Sequence, residues 1–250
     1  MPLGPDEARV NWLRGVTYAH RGMHGPGRVE NSPDAFRAAI AAGLGIECDV
    51  QQSADGAAMV FHDWELERLT PEVGPVRART AAALARVPLH GGEPIWTLAE
   101  LLAEIDGRVP LLVEIKSRRD VPSVPLCKAV SRALSGYTGL AAVMSFDPNV
   151  VRWFARCAPE IARGLVVTED GQPGAFAVSR GILAVRFARA EFIAFDVRDL
   201  PSPFAASMRE RGLPVLAWTV SDETKLATAR AHADGPIAEG KGLEHALASA

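Results

Sequence analysis

Short apolar, β-branched runs alternate with alanine-rich amphipathic stretches along almost the whole chain. The strand-like runs are Thr17–His20, Gly45–Val50, Leu111–Ile115, Ala142–Ser145, Gly164–Val167, Phe192–Phe195, Pro214–Thr219 and Gly235–Ala238. Helical periodicity predicts helices over Pro33–Ala42, Thr97–Ile105, Ser123–Leu134, Pro148–Cys157, Pro173–Arg180, Pro203–Arg211 and Asp222–Ala231. Eight strands alternating with helices in 250 residues predict a TIM (β/α)8 barrel. An open doubly wound sheet is the alternative, but it usually needs fewer strands for this length. Nucleotide-binding versions lose support, because no GxGxxG follows a strand and no GxxxxGK[ST] occurs.

Local signals refine this outline. Asn31-Ser32-Pro33-Asp34 reads as a helix start, with a capping side chain, proline in the first turn and an acid at the positive dipole end. Asp55-Gly56, between Gly45–Gln52 and Ala58–Phe61, is a hairpin signal. A two-residue turn there would set Asp49 opposite His62, whereas a loop one residue longer would turn His62 away. Residues 65–94 are rich in proline and glycine and read as a small irregular insertion after the second strand, suited to act as a lid. No repeat or linker divides the chain, so residues 1–250 are expected to form a single domain.

Composition narrows the classes. Hydrophobic residues make up 48 % and charged residues 23 %, which suits a buried core rather than a disordered chain. Twenty-seven basic against 30 acidic residues give a net charge of −3, with no basic footprint for nucleic acid and no polybasic membrane anchor. Any bound anion must therefore be held locally. Cys48, Cys127 and Cys157 form no CxxC pair, and their odd number suits a reducing compartment. The opening MPLGPDEARVNWLRG lacks the basic and apolar regions of a signal peptide, and no apolar run approaches roughly 18 residues. A cytoplasmic protein without stable membrane association is the expectation.

In a parallel barrel, chemistry sits at the C-terminal ends of the strands. The first run ends in His20-Arg21-Gly22. Glu47 and Asp49 share one face of the second, because strand side chains alternate. The third ends in Glu114-Ile115-Lys116, the fourth in Ser145-Phe146-Asp147, the sixth runs to Asp196, and the seventh carries Trp218. Each feature alone has a bland reading. A lone histidine is more often structural, Glu114 and Lys116 could form an ordinary ion pair, and Asn31 could merely cap its helix. Trp12, Trp64, Trp96 and Trp153 read as packing, and His24, His90, His232 and His245 as surface or loop residues. The coincidence changes the weighting. Glu47, Asp49 and Glu114 are hard oxygen donors suited to Mg²⁺ or Ca²⁺. Arg21 and Lys116 suit an anionic substrate oxygen. His20 and His62 suit acid–base work near neutral pH. Together they describe hydrolytic phosphoryl transfer.

The ordered series Ala19-His20-Arg21-Gly22, Glu30-Asn31-Ser32, Glu47-Cys48-Asp49-Val50-Gln51, Asp55-Gly56 and Val60-Phe61-His62-Asp63 resembles the glycerophosphodiester phosphodiesterase family. The similarity continues through Thr97-Leu98, Glu114-Ile115-Lys116, Ser145-Phe146-Asp147, Trp218-Thr219-Val220 and Ala233-Asp234-Gly235. It implies a TIM barrel that uses a divalent metal to hydrolyse glycerophosphodiesters to an alcohol and glycerol 3-phosphate. On matching positions, Glu47, Asp49 and Glu114 would hold the metal and His20 and His62 would be the acid–base pair. Arg21 and Lys116 would contact phosphate, Trp218 would wall the substrate pocket, and Glu30 and Asn31 would support the site. Ser32 stands where the family commonly has threonine, Ile95-Trp96 where a proline is frequent, and Ala238-Glu239-Gly240 replaces an acid-rich ending. Two other expectations compete: a related barrel phosphodiesterase acting on lysophospholipids, and a non-catalytic barrel that binds glycerophosphodiesters.

Overall fold

A computed structural model describes residues 7–169 and 175–249. Its strands are β1 (Tyr18–Ala19), β2 (Gly45–Gln52), β3 (Ala58–Val60), β4 (Leu111–Ile115), β5 (Ala141–Ser145), β6 (Ala162–Val167), β7 (Phe192–Asp196), β8 (Val215–Val220) and β9 (Gly235–Ala238). Its helices are α1 (Glu7–Val10), α2 (Pro33–Ala41), α3 (Ala81–Leu84), α4 (Leu98–Ile105), α5 (Val124–Leu134), α6 (Pro148–Cys157), α7 (Ala175–Ala188), α8 (Pro203–Glu210), α9 (Glu223–His232) and α10 (Gly240–Ala248). Eight strands form the closed parallel ring of a TIM (β/α)8 barrel, and β3 lies outside it. No helix among the described residues is long and apolar enough to cross a membrane.

The chain resolves into two compact units, one of residues 1–18 with 142–250 and one of residues 19–141. In the first, β5 to β9 pair side by side in parallel. Its core is aromatic: Phe192, Phe195 and Phe204 are fully buried, with the last two rings 6.0 Å apart. Gly164 on β6 stands directly beside Phe192 on β7, and the Phe192 ring fills the space a side chain at 164 would need. The predicted helix Pro173–Arg180 starts at residues 173 and 174, outside the described ones; the helix seen runs on to Ala188.

The second unit carries β2, β3 and β4. Ser32 accepts a hydrogen bond from the Ala35 N–H and so caps α2, with Pro33 and Asp34 in its first turn. The helix after the insertion starts with a full capping box, Thr97 with Glu100. β2 and β4 run parallel, with Glu47 beside Leu112 and Asp49 beside Glu114. The expected pairing of Asp49 with His62 is not what the hairpin adopts. Val50 pairs with Val60, Gln51 with Met59 and Gln52 with Ala58, so Asp49 faces Phe61. The cause lies in the turn: Ser53 N–H donates to Ala57 O, making the connection longer than two residues and shifting the register by one.

The insertion at 65–94 is irregular in outline but has its own apolar core. Leu66, Leu69, Val76, Leu84, Val87 and Leu89 bury against Met59, Phe61 and Ile95. It also contains the short helix α3, which the proline-rich sequence hid.

Replacing Gly164 with alanine should force the Phe192 ring from its place and destabilise the protein by about 1–3 kcal/mol, as overpacking generally does. Urea denaturation reads this directly; an unchanged midpoint would show that the ring yields freely.

Candidate active site

Three strand positions set the centre. Glu47 and Asp49 are two residues apart on β2, and the parallel register puts Glu114 of β4 beside Asp49. One carboxylate oxygen from each lies within 4.8 Å of the others. Glu47 and Asp49 are only 1 % exposed, so water does little to separate their charges. Burial raises the affinity of Glu47 for a proton, and repulsion from Asp49 and Glu114 adds to it, holding its carboxyl well above the ordinary range. Burial and Asp49 likewise raise Glu114. Burial would raise Asp49 too, but Lys116, His62, Arg21 and a hydrogen bond from Asn31 outweigh it and hold Asp49 low.

Fixed cations answer part of this charge. Lys116 Nζ stands 2.9 Å from Glu114 Oε1 and 3.3 Å from Asp49 Oδ1. Arg21, in the left-handed region at φ 54°, donates its backbone N–H to Glu47 Oε2 at 3.0 Å. Its guanidinium donates to Glu30 Oε1 at 2.7 Å, and its Nε lies 3.2 Å from Asp49 Oδ2. That last contact is an ion pair without hydrogen-bond alignment. Asn31, also at φ 54°, does not cap α2. It donates to Asp49 Oδ2 at 3.0 Å and accepts from the Asp49 N–H at 3.3 Å. The left-handed backbone at both positions is what turns these side chains inward.

The histidines approach from two sides. His20 Nε2 lies 4.0 Å from Glu47 Oε2. His62 follows β3 and does not sit in the ladder, yet its charge bears on Asp49 and Glu114. Its position is fixed by its neighbours. The buried Gln51 amide donates to the backbone carbonyls of Phe61, His62 and Asp63. His62 Nδ1 is 2.6 Å from Asp63 Oδ1. Hydrogen bonds from Arg68 are the main reason Asp63 is held down to about 2, so it is ionised at neutral pH and can only accept. Nδ1 therefore carries the proton, and Nε2 is the nitrogen that can exchange one with a substrate.

Arg68 is the residue sequence patterns did not flag. It donates to both oxygens of Glu30, at 2.9 and 2.7 Å, and to both of Asp63. Glu30 thus joins the guanidinium groups of Arg21 and Arg68, which overcome its burial and hold its carboxyl below the usual range. The only advance hint was its place six residues after His62.

The second unit thus assembles His20, Arg21, Glu30, Asn31, Glu47, Asp49, His62, Glu114 and Lys116. Trp218 belongs to the other unit, on β8, where its indole N–H donates to the Ala194 carbonyl at 2.9 Å and its ring meets Phe146 edge-on at 5.4 Å. Buried hard oxygens that repel one another fit a divalent cation such as Mg²⁺ or Ca²⁺ and lack the softer donors typical of zinc sites.

Asp63 supplies a pH test. Its folded pKa is depressed, so its stabilisation is complete above the ordinary carboxylate range and fades as pH falls from roughly 4 towards 2. Allowing for partial exposure, the loss should be about 1 kcal/mol. Asp63→Asn should flatten that part of the stability curve in urea titrations between pH 5 and pH 2. An unchanged curve would remove the ion pair from the account.

The chain is similar to known proteins over most of its length. A glycerophosphodiester phosphodiesterase of Caldanaerobacter subterraneus subsp. tengcongensis is 27 % identical over 221 residues, covering 83 % of this chain and 86 % of that protein. A glycerophosphodiester phosphodiesterase structure from Thermotoga maritima superposes with a TM-score of 0.73 at 26 % identity, over 89 % of this chain and 94 % of that one. An Oleispira antarctica phosphodiesterase, solved with the product sn-glycerol-3-phosphate, shares the fold with a TM-score of 0.83 at 21 % identity, covering 96 % of this chain and 99 % of that one. Residues 20–238 match the glycerophosphoryl diester phosphodiesterase family, and the chain belongs to it.

Proposed function

We propose that the protein is a metal-dependent phosphodiesterase that cleaves glycerophosphodiesters to glycerol 3-phosphate and an alcohol, with His20 and His62 as its acid–base pair. The observation that carries this reading is the convergence of two histidines and two cations on the carboxylates Glu47, Asp49 and Glu114. The three carboxylates would hold Mg²⁺ or Ca²⁺. Such an ion supplies a Lewis acid that polarises a phosphoryl oxygen and offsets the phosphate charge.

The protein's own groups divide the remaining work. Arg21 and Lys116 hold the phosphoryl oxygens, the arginine through the planar fork that Glu30 orients. The glycerol 2-hydroxyl lies next to the phosphate, and internal attack gains an effective concentration of about 10⁵ M or more over an outside nucleophile. His20 removes the proton from that hydroxyl. His62, with Nδ1 turned to Asp63, delivers a proton from Nε2 to the departing alcohol oxygen, so the new P–O bond replaces the broken one and a cyclic 1,2-phosphate is left. Water then opens that ring at phosphorus: His62 takes the water's proton and His20 returns its proton to the 2-hydroxyl, which gives glycerol 3-phosphate and restores both histidines. The substrate is a small molecule.

Chelation should abolish turnover, and Mg²⁺ or Ca²⁺ should restore it. Independently of activity, the ion should raise the melting temperature, since about 100 Kd of ligand adds roughly 2.7 kcal/mol. Glu47→Ala or Glu114→Ala should lose that shift. Full activity in stripped protein would end the metal assignment. His20→Ala and His62→Ala should each reduce kcat by about 10²–10⁴ without unfolding, and together by less than the product. Near-normal turnover in either would make that histidine structural. A 2-deoxyglycerol analogue should bind without turning over; turnover at the normal rate would exclude the internal hydroxyl. A strong preference for lysophosphatidylcholine over its deacylated counterpart would favour the lysophospholipid alternative.

A further inference from the structure

A cavity of ≈ 440 Å³ lies beside the carboxylate cluster, with Lys116 between them, and the chemistry above leaves it without a role. Its volume falls in the range of small-ligand pockets, about 300–1,000 Å³. Trp64 and Lys116 line it, and the same two side chains also line the opening that contains His62. The two spaces therefore share a wall.

The remaining lining is unevenly charged. Arg77 and Arg118 face the cavity with Lys116, against the single lining carboxylate of Asp55. Asp55 is already engaged: its Oδ1 accepts from the Ser53 hydroxyl at 2.6 Å and the Ala81 N–H at 2.9 Å. Arg118 is held in place twice. Its guanidinium carbon stands 5.2 Å from the Trp64 ring centre, and Nε and Nη2 each donate to Asp120 at 3.0 Å. Arg77 is exposed, and its side chain makes no hydrogen bond or close ion pair among the described residues. Three cations surround the space; Asp120, which binds Arg118, also feels the Arg77 charge, but Arg77 keeps its donors unshared among the described residues. Trp64 might otherwise suggest a cage for a quaternary ammonium, but a ring face already carries Arg118 and the neighbouring charges repel a further cation.

We propose that this cavity is the subsite for the leaving alcohol, and that it selects glycerophosphodiesters whose alcohol carries an anionic group of its own. The proposal rests on His62 being the group that protonates the leaving oxygen. An alcohol departing at His62 continues past the wall of Trp64 and Lys116 towards Arg77 and Arg118. Leu126 lends the cavity an apolar side for the carbon chain between the two charged groups.

The test compares kcat/KM for four diesters that share the glycerophosphoryl half and differ only in the alcohol: choline, glycerol, glycerate and glycerol phosphate. An anionic alcohol should be favoured over glycerol by about tenfold, the scale of one charge-assisted contact near the surface, and choline should rank last. The two anionic arms distinguish carboxylate from phosphate. The advantage should shrink at about 0.5 M salt, where screening length falls below the size of the cavity. Arg77→Ala and Arg118→Ala should each cut the ratio of anionic to neutral substrate several-fold, mainly through KM, and Arg77→Glu should invert it. Equal use of all four, or a preference for choline, overturns the subsite while diester hydrolysis stands. An unchanged ratio in both alanine variants places any preference elsewhere and also overturns it. Hydrolysis of none of the four overturns the catalytic reading, and the subsite with it.

Discussion

The repulsion among Glu47, Asp49 and Glu114 is the constraint to which the surrounding structure responds. A parallel register that sets Asp49 beside Glu114, with Glu47 on the same face, brings three acids into a space that water hardly reaches. No folded chain keeps such a group ionised without nearby positive charge. Lys116 and Arg21 supply some of it, yet burial first, and repulsion from Asp49 and Glu114 after it, still hold the Glu47 carboxyl well above the ordinary range. Glu30 and Asp63 are answered separately by Arg21 and Arg68, so the repulsion stays with the three central carboxylates. A divalent cation held by Glu47, Asp49 and Glu114, as proposed above, would relieve it.

A second layer ties the side proposed to bind phosphate to the side proposed to transfer a proton. Glu30 grips Arg21 on one edge and Arg68 on the other, while Arg68 also grips Asp63, which orients His62. Displacing any member loosens both a guanidinium and a histidine. Neutralising Arg68 would thus be felt at two places it does not touch directly. Partly buried chains of this kind restrict each other's geometry more than separate pairs do.

Much of this was legible before any coordinates. Alternation along β2 places Glu47 and Asp49 together, and β4 and β9 fall within the predicted bounds. Strand ends are legible because apolar side chains stop where charges begin. The hairpin register was not, since Asp55-Gly56 suits several loop lengths and one residue decides which face a side chain takes. Residue type alone leaves two roles open for Asn31, a helix cap or support of the carboxylates; Ser32 one residue later does the capping and leaves Asn31 to Asp49. Arg68 left no periodic trace, because it lies in an irregular segment whose contacts are set by tertiary structure. Trp64 read as packing for the same reason, and instead it lines two cavities.

The insertion gains a purpose from its attachment to His62. Phe61 buries in the apolar cluster that Leu66, Val76 and Leu84 complete, so the residue before the histidine is anchored by the hydrophobic effect. The residue after it, Asp63, is clamped by Arg68, and the Gln51 amide holds the carbonyls between them. A histidine on a free loop would sample many orientations, and each would need to be given up again at every turnover. Here the register shift that removes His62 from the ladder also places Phe61 opposite Asp49, with its N–H donating to the Asp49 carbonyl at 3.0 Å. His62 is therefore one residue from a strand hydrogen bond on one side and one residue from an ion pair on the other. Its ring is anchored from both sides while remaining partly exposed to the opening it lines. The proposed proton donor needs both, and neither the strand nor the loop alone could supply them.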